Sequence, residues 1–205
     1  MFEVCDLCGV LANPLRLEIL AHVYCAMDGF NVGFLADEMQ KYHLGLSSVS
    51  EYLMKLERIG LICRRREGRY VNYYPSSSRV PASLRGIVKL IIENLRANGS
   101  RDYARAFPIL KNPFRAKVIG ILSRSQTLLS TEAICIRTNH EPRHLYRDLK
   151  CAIKSGLIYA DGNCIDASYS YIPPQSEIVR LMVEQIAQKI KSFAPQQESP
   201  PVPRQ

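Results

Sequence analysis

Ala12-Asn13-Pro14-Leu15-Arg16-Leu17-Glu18-Ile19-Leu20 has a counterpart about a hundred residues later, Leu110-Lys111-Asn112-Pro113-Phe114-Arg115-Ala116-Lys117-Val118-Ile119. A second pair follows in the same order, Leu53-Met54-Lys55-Leu56-Glu57-Arg58-Ile59-Gly60-Leu61-Ile62 and Leu149-Lys150-Cys151-Ala152-Ile153-Lys154-Ser155-Gly156-Leu157-Ile158. Two ordered matches at nearly one offset predict an internal duplication, in which each half holds the same small fold. The expected domains are 1–99 and 100–194, followed by a Pro- and Gln-rich tail at 195–205 whose composition predicts disorder.

The first match also fixes where a helix starts. Asn13 is a good N-cap, and Pro14 at the first helical position loses no hydrogen bond. Leu15, Ile19, Leu20 and Val23 then form a buried stripe. Before it, Val4, Leu7, Cys8 and Leu11 step by three and four residues, as on a short amphipathic helix. Beyond the Asp28-Gly29 break, Val32, Leu35, Ala36 and Met39 predict a third helix. Leu46-Ser47-Ser48 opens a fourth, with Val49, Tyr52, Leu53 and Leu56 inward and Gly60 as its C-terminal stop. Leu61-Ile62-Cys63 and Tyr70-Val71-Asn72-Tyr73-Tyr74 read as strands joined by Arg64-Arg65-Arg66-Glu67-Gly68-Arg69. A longer helix follows Pro81, with Leu84, Ile87, Val88, Ile91, Ile92 and Leu95 on one face, and Asn98-Gly99-Ser100 closes the half.

The second half repeats this order. A short helix ends near Leu110, and a Pro113-initiated helix carries Val118 and Ile121. Another helix covers Thr131 to Ile136. Asn139 is a candidate cap for the next, which holds Leu145, Leu149 and Ile153. A hairpin runs through Asp161-Gly162-Asn163 to Tyr171. The last helix follows Pro174 with Ile178, Leu181, Met182, Ile186 and Ile190. The expected fold class is mainly α with small β-hairpins.

Bulk properties narrow the partner. A chain of 205 residues fits two domains of roughly 90 residues each. Its hydrophobic fraction of 47% supports packed cores. The net charge of +8 favours a polyanion, because phosphate neutralisation releases counterions. Residues 1–99 carry +2 (12 basic less 10 acidic) and residues 100–205 carry +6 (15 less 9). Much of the first half's basic charge is concentrated in one hairpin, so charge per half is a poor guide to the partner. No basic leader with an apolar run opens the chain, and no stretch is apolar enough for a membrane helix. Seven irregularly spaced cysteines do not resemble a disulfide framework. The expectation is a cytoplasmic protein with no membrane contact.

Each half thus reads helix, helix, helix-turn-helix, hairpin, helix, an order suited to duplex DNA. A helix fits the major groove, and a basic hairpin beside it presses on phosphates or enters the minor groove. Leu11 to Leu20, Leu46-Ser47-Ser48-Val49-Ser50-Glu51-Tyr52-Leu53 through Gly60-Leu61-Ile62, and Arg65-Arg66-Glu67-Gly68-Arg69-Tyr70-Val71-Asn72-Tyr73 resemble the ArsR-type winged-helix repressors. All three blocks keep the family's spacing, and the resemblance covers almost all of residues 3–97. It implies two tandem winged helix-turn-helix domains and a transcriptional regulator. Helix 46–59 would read the major groove, and wing 63–73 would lie on the backbone or minor groove. In that family the first and last helices of each subunit form a homodimer interface. With the duplication, this suggests that helices 3–11, 81–97, 101–110 and 175–192 pair within one chain. The partner states considered are a monomeric pseudo-dimer and a homodimer. Unequal halves would favour an asymmetric operator.

The expected DNA contacts in the first half are Ser47, Ser48, Ser50, Glu51 and Lys55 on the helix, with Arg64, Arg65, Arg66 and Arg69 on the wing. Tyr52 stands where the family usually carries His, and packing is the alternative role for it. The second half matches less well: the hairpin Tyr159-Ala160-Asp161-Gly162-Asn163-Cys164-Ile165-Asp166 holds two acids and no Arg or Lys. Its helix still offers Arg143, His144, Tyr146, Arg147 and Lys150, and both DNA contact and a solvated face stay open for them. Cys5 and Cys8 are weak metal candidates, which Cys25 and Cys63 would join only if the fold gathers them. Core packing is the alternative for a helical cysteine. The family's metal-binding cysteines commonly sit early in the third helix, where Asn31, Val32 and Gly33 stand. His22, His43, His140 and His144 lack metal-ligand spacing. His22 is expected to pack or cap, and His144 suits DNA contact better than base catalysis. No phosphate-binding Gly loop, nucleophile elbow or paired-carboxylate motif occurs, so neither a cofactor nor enzymatic activity is expected. Two other readings remain: an architectural or plasmid-maintenance DNA-binding protein, and a winged-helix protein-interaction adaptor.

Overall fold

Asn13-Pro14 and Asn112-Pro113 each open a helix, and Gly60 and Gly156 each close one, in the computed structural model, which describes residues 2–26, 29–97, 102–162 and 166–191. The first half contains α1 (Phe2–Leu11), α2 (Pro14–Cys25), β1 (Phe30–Asn31), α3 (Val32–Met39), α4 (Leu46–Arg58), β2 (Ile62–Glu67), β3 (Tyr70–Pro75) and α5 (Arg85–Arg96). The second contains α6 (Phe107–Leu110), α7 (Pro113–Leu122), β4 (Leu129–Ser130), α8 (Thr131–Thr138), α9 (Pro142–Lys154), β5 (Ile158–Asp161), β6 (Ser168–Tyr171) and α10 (Glu177–Lys191). The chain is therefore mainly helical, and the element order of one half recurs in the other. Asp28, the Asn98-Gly99-Ser100 break, Asn163 to Ile165 and the tail 195–205 lie outside the described residues.

The helix ends follow from local chemistry. Asn13 Oδ1 accepts from the Leu15 and Arg16 amides at 2.9 and 3.3 Å, and Asn112 Oδ1 from the Arg115 amide at 3.1 Å. At the end of α4, the Gly60 amide donates to Glu57 O and the Leu61 amide to Leu56 O, a paired closure that requires a left-handed residue. Gly60 supplies it with φ +80°, and a Cβ there would stand 2.5 Å from Arg79 Cβ. Gly156, with φ +75°, closes α9 through the same pair of bonds, to Ile153 O and Ala152 O. Asn139 differs from expectation. Its φ of 54° closes α8, with the His140 amide on Cys135 O, while Glu141 precedes α9. Asn tolerates the left-handed conformation, so the residue suited to a start serves as a stop.

Each half also has a third strand that its sequence does not announce. β1 pairs antiparallel with β3 and β4 with β6, giving orders β1-β3-β2 and β4-β6-β5. The first hairpin is longer than its apolar run suggests. Arg64, Arg65, Arg66 and Glu67 belong to β2 and pair through Glu67↔Tyr70, which shortens the connection to Gly68-Arg69. Gly68 takes φ +63° in that turn. A ribbon that extends past the core meets solvent on both faces, so its strands carry no apolar alternation.

Core packing runs through both halves without a break, from Val4 on α1 to Ile186 on α10. α1 packs on α6, α7 and α10, and α5 packs on α10. The Cys8 thiol lies 3.8 Å from Met182 Sδ, and Glu3 pairs with Lys189. Val4, Leu7, Cys8, Leu11, Ile87, Val88, Ile91, Leu95, Phe107, Leu110, Met182, Val183 and Ile186 are all buried. Exposing any one of the larger aliphatic chains costs about 1.5–3 kcal/mol. No helix among the described residues is long and apolar enough to cross a membrane.

Candidate nucleic-acid interface

α4 is amphipathic by construction. Val49, Leu53 and Leu56 are buried, leaving Ser47, Glu51, Met54 and Arg58 exposed in one row, with Ser48, Ser50 and Lys55 half-buried beside it. Lys55 Nζ sits 2.5 Å from Glu51 Oε1, and that hydrogen bond holds the Glu51 carboxyl below the usual carboxylate range. The outward face of α4 is consequently almost neutral. Leu46 and Met54 are its exposed apolar residues, at 57% and 52%. Tyr52 is half-buried: Asn13 Nδ2 donates to its hydroxyl at 3.5 Å, and the Arg16 guanidinium lies 5.7 Å from its ring centre. It ties α4 to the capped start of α2.

The β2–β3 ribbon next to α4 carries the positive charge. Arg64, Arg65, Arg66 and Arg69 are all exposed. Strand pleating divides the first three: Arg64 and Arg66 share a face with Val71 and Tyr73, and Arg65 shares the other with Asn72 and Tyr74. Arg64 Nε stands 3.3 Å from Glu57 Oε1, which anchors the ribbon to the end of α4. Arg65 lies over the Tyr74 ring at 5.2 Å, and Arg69 over Tyr70 at 5.1 Å. Arg66 Nε donates to Gly68 O at 3.2 Å, stiffening the turn. Glu67 accepts from Tyr74 Oη and, at 2.7 Å, from Asn72 Nδ2. Those two bonds, Tyr74 first, hold its carboxyl below the usual range. At the ribbon's base a cleft of about 380 Å³ is lined by Glu57, Arg64, Arg65, Ser76, Ser78 and Arg79. Arg79 and Arg58 extend the basic surface beyond the residues expected from sequence. Arg58 was legible in the i, i+4, i+7, i+11 spacing of Ser47, Glu51, Met54 and Arg58.

In the second half, Leu145, Leu149 and Ala152 anchor α9, so Arg143, Arg147, Lys150 and Lys154 point outward. His144 and Tyr146 are half-buried at the margins. Glu141 accepts from Arg143 Nε at 2.6 Å and lies 3.5 Å from His144 Nε2. His140 stacks on Phe114 at 4.1 Å and bonds Asp148 at 3.0 Å, which fixes the turn between α8 and α9. The adjoining hairpin exposes Tyr159, Asp161 and Asp166 and has no cation to offer.

Among the described residues the cysteines do not form one site. Cys5 and Cys8 are buried on α1, where burial pushes both thiols up, Cys8 furthest. Cys25 is exposed and Cys63 half-buried, and among the described residues no three His, Cys, Asp or Glu side chains gather. His22 packs edge-on against Phe30, with ring centres 6.3 Å apart. Comparison with protein-family models, curated proteins and solved structures found no match.

Proposed function

We propose that this chain is a sequence-specific double-stranded DNA-binding transcriptional regulator, built as two tandem winged helix-turn-helix domains paired within one polypeptide. In this reading helix 46–59 enters the major groove and the ribbon 63–73 lies on the backbone or in the minor groove. The observation that carries it is a stiffened, fully paired ribbon displaying Arg64, Arg65, Arg66 and Arg69, held to the end of an exposed polar helix by Arg64 and Glu57. Four cations at that position match the demand of a phosphate backbone. The resemblance of the first half to ArsR-type repressors points the same way. The reading needs no catalytic residue and no cofactor.

A binding selection from a random duplex library, run at low and at physiological salt, tests the proposal. The expected result is one enriched asymmetric site with a discrete footprint. Failure to bind duplex DNA at low ionic strength overturns it, and cooperative spreading over repeated sites would favour an architectural role. The acidic second hairpin favours one alternative, an adaptor in which that half contacts protein instead of DNA. Unaltered DNA binding after neutralising α9 would support it.

A further inference from the structure

Superposing the sequence matches puts Ser47, Glu51, Met54 and Arg58 in register with Arg143, Arg147, Lys150 and Lys154. The same outward row of the same element is thus almost neutral in one half and wholly basic in the other. The hairpins show the opposite pattern. Over α4, residues 46–58 sum to 0 (two basic less two acidic), and over β2–β3, residues 62–75 sum to +3 (four less one). For the second half, residues 141–154 sum to +2 (four less two), and residues 158–171 to −2 (none less two).

We propose that the two halves hold DNA with unlike elements: the first grips phosphates with its ribbon, while the second does so with the α9 row Arg143, Arg147, Lys150 and Lys154. Its acidic hairpin is kept off the backbone. This rests on the DNA-binding reading above and adds which surface of the second half takes part. Like-charge repulsion carries the argument. Asp161 and Asp166 are both exposed, so a hairpin seated like its counterpart would bring uncompensated carboxylates to phosphates. The α9 row has the reverse character: Arg143 and Arg147 are 72% and 69% exposed, and neither Lys150 nor Lys154 is held by an ion pair among the described residues. Glu141 and Asp148 sit beside the first two, not across the row, so they orient guanidinium groups whose remaining donors face outward. The consequence is an operator with two kinds of contact: strong ribbon protection at one end and major-groove backbone protection at the other.

The test compares two full-length variants with the parent chain on the selected site, across a salt series. Arg147→Gln with Lys150→Gln should weaken binding by on the order of tenfold at 0.1 M salt. It should also reduce the slope of log K against log salt by about 0.9 for each phosphate no longer neutralised. Hydroxyl-radical protection should shrink at one end of the site only. Asp161→Asn with Asp166→Asn should change neither affinity nor slope. Both pairs are exposed, and circular dichroism checks that each variant stays folded. If the parent binds DNA but the α9 variant keeps its affinity, slope and footprint, this inference fails while the DNA-binding reading stands. Tenfold tighter binding by the Asp161/Asp166 variant would equally overturn it, because it would place the second hairpin on the backbone. If the parent ignores duplex DNA altogether, the reading beneath the inference falls first.

Discussion

Arg66 and Arg69 sit at the tip of a ribbon whose strands are held by backbone pairing, with Gly68 setting the turn, so removing both side chains costs the fold only the Arg66–Gly68 bond. Replacing both by Ala is expected to weaken binding to every DNA sequence alike and to lower the salt slope by about 0.9 for each phosphate that the ribbon releases. Titration of a specific and a random duplex against salt checks this, and an unchanged slope takes the ribbon out of the interface. Cysteine reactivity offers a second residue-scale expectation. The thiolate is the reactive form, and burial holds Cys5 and Cys8 as thiols, whereas Cys25 and Cys151 are exposed. Alkylation of the folded protein at pH 8 should label Cys25 and Cys151 within minutes and leave Cys5 and Cys8 unmodified until denaturant is added, as read by peptide mass spectrometry. Single residues were legible in sequence wherever chemistry allowed only one role. Asn13 beside Pro14 could only open a helix, but Asn139 had two uses, and the left-handed stop took it.

Among the elements, close approach decides the most sensitive position. Gly120 on α7 faces α10 so tightly that a Cβ would come within 2.7 Å of Ile190 Cδ1 and 2.8 Å of Ile186 Cγ2. Gly120→Val should therefore destabilise the fold by about 1–3 kcal/mol through overpacking, measurable as a lower urea midpoint with an unchanged slope. An equal or raised midpoint would show that α10 moves aside freely. The apolar periodicity of α4, α5 and α10 was plain because each buries one stripe, whereas α2 buries Leu17, Ile19, Leu20, Ala21, Val23 and Tyr24 around much of its girth and leaves Leu15, expected in the stripe, half-buried. β1 and β4 were hidden for a simple reason: two residues carry no alternation, and their pairing depends on β3 and β6 arriving from far along the chain. The ribbon was underestimated for a related cause, since its pairing is set by the Gly68 turn and not by burial. Of the candidate interface, the arginine cluster was visible as a charge run. The basic row on α9 became clear only when Leu145, Leu149 and Ala152 fixed which way that helix faces.

At the scale of the whole molecule, α1 and α10 bring the ends of the two halves together. Light scattering off DNA should give a single-chain particle near 23.2 kDa, and an obligate two-chain particle would contradict intramolecular pairing. The Glu3–Lys189 pair joins the same helices and lowers the Glu3 pKa, chiefly through the lysine's hydrogen bond. A lowered carboxyl pKa contributes stability above the group's ordinary range and loses it as pH falls through the folded-state value. Glu3 is 46% exposed, so screening limits the pair to a few tenths of a kcal/mol. Glu3→Gln should thus cost that much at pH 7 and progressively less as pH falls through and below the ordinary carboxylate range, by denaturation across a pH series; a cost that stays constant would implicate packing instead. Pairing within one chain has a further effect on what selection can reach. In a symmetric dimer every substitution is expressed twice, on both sides of the axis. In the proposed regulator a substitution on α9 leaves α4 untouched, so one side of the particle would be free to drift toward a new ligand while the other kept its hold.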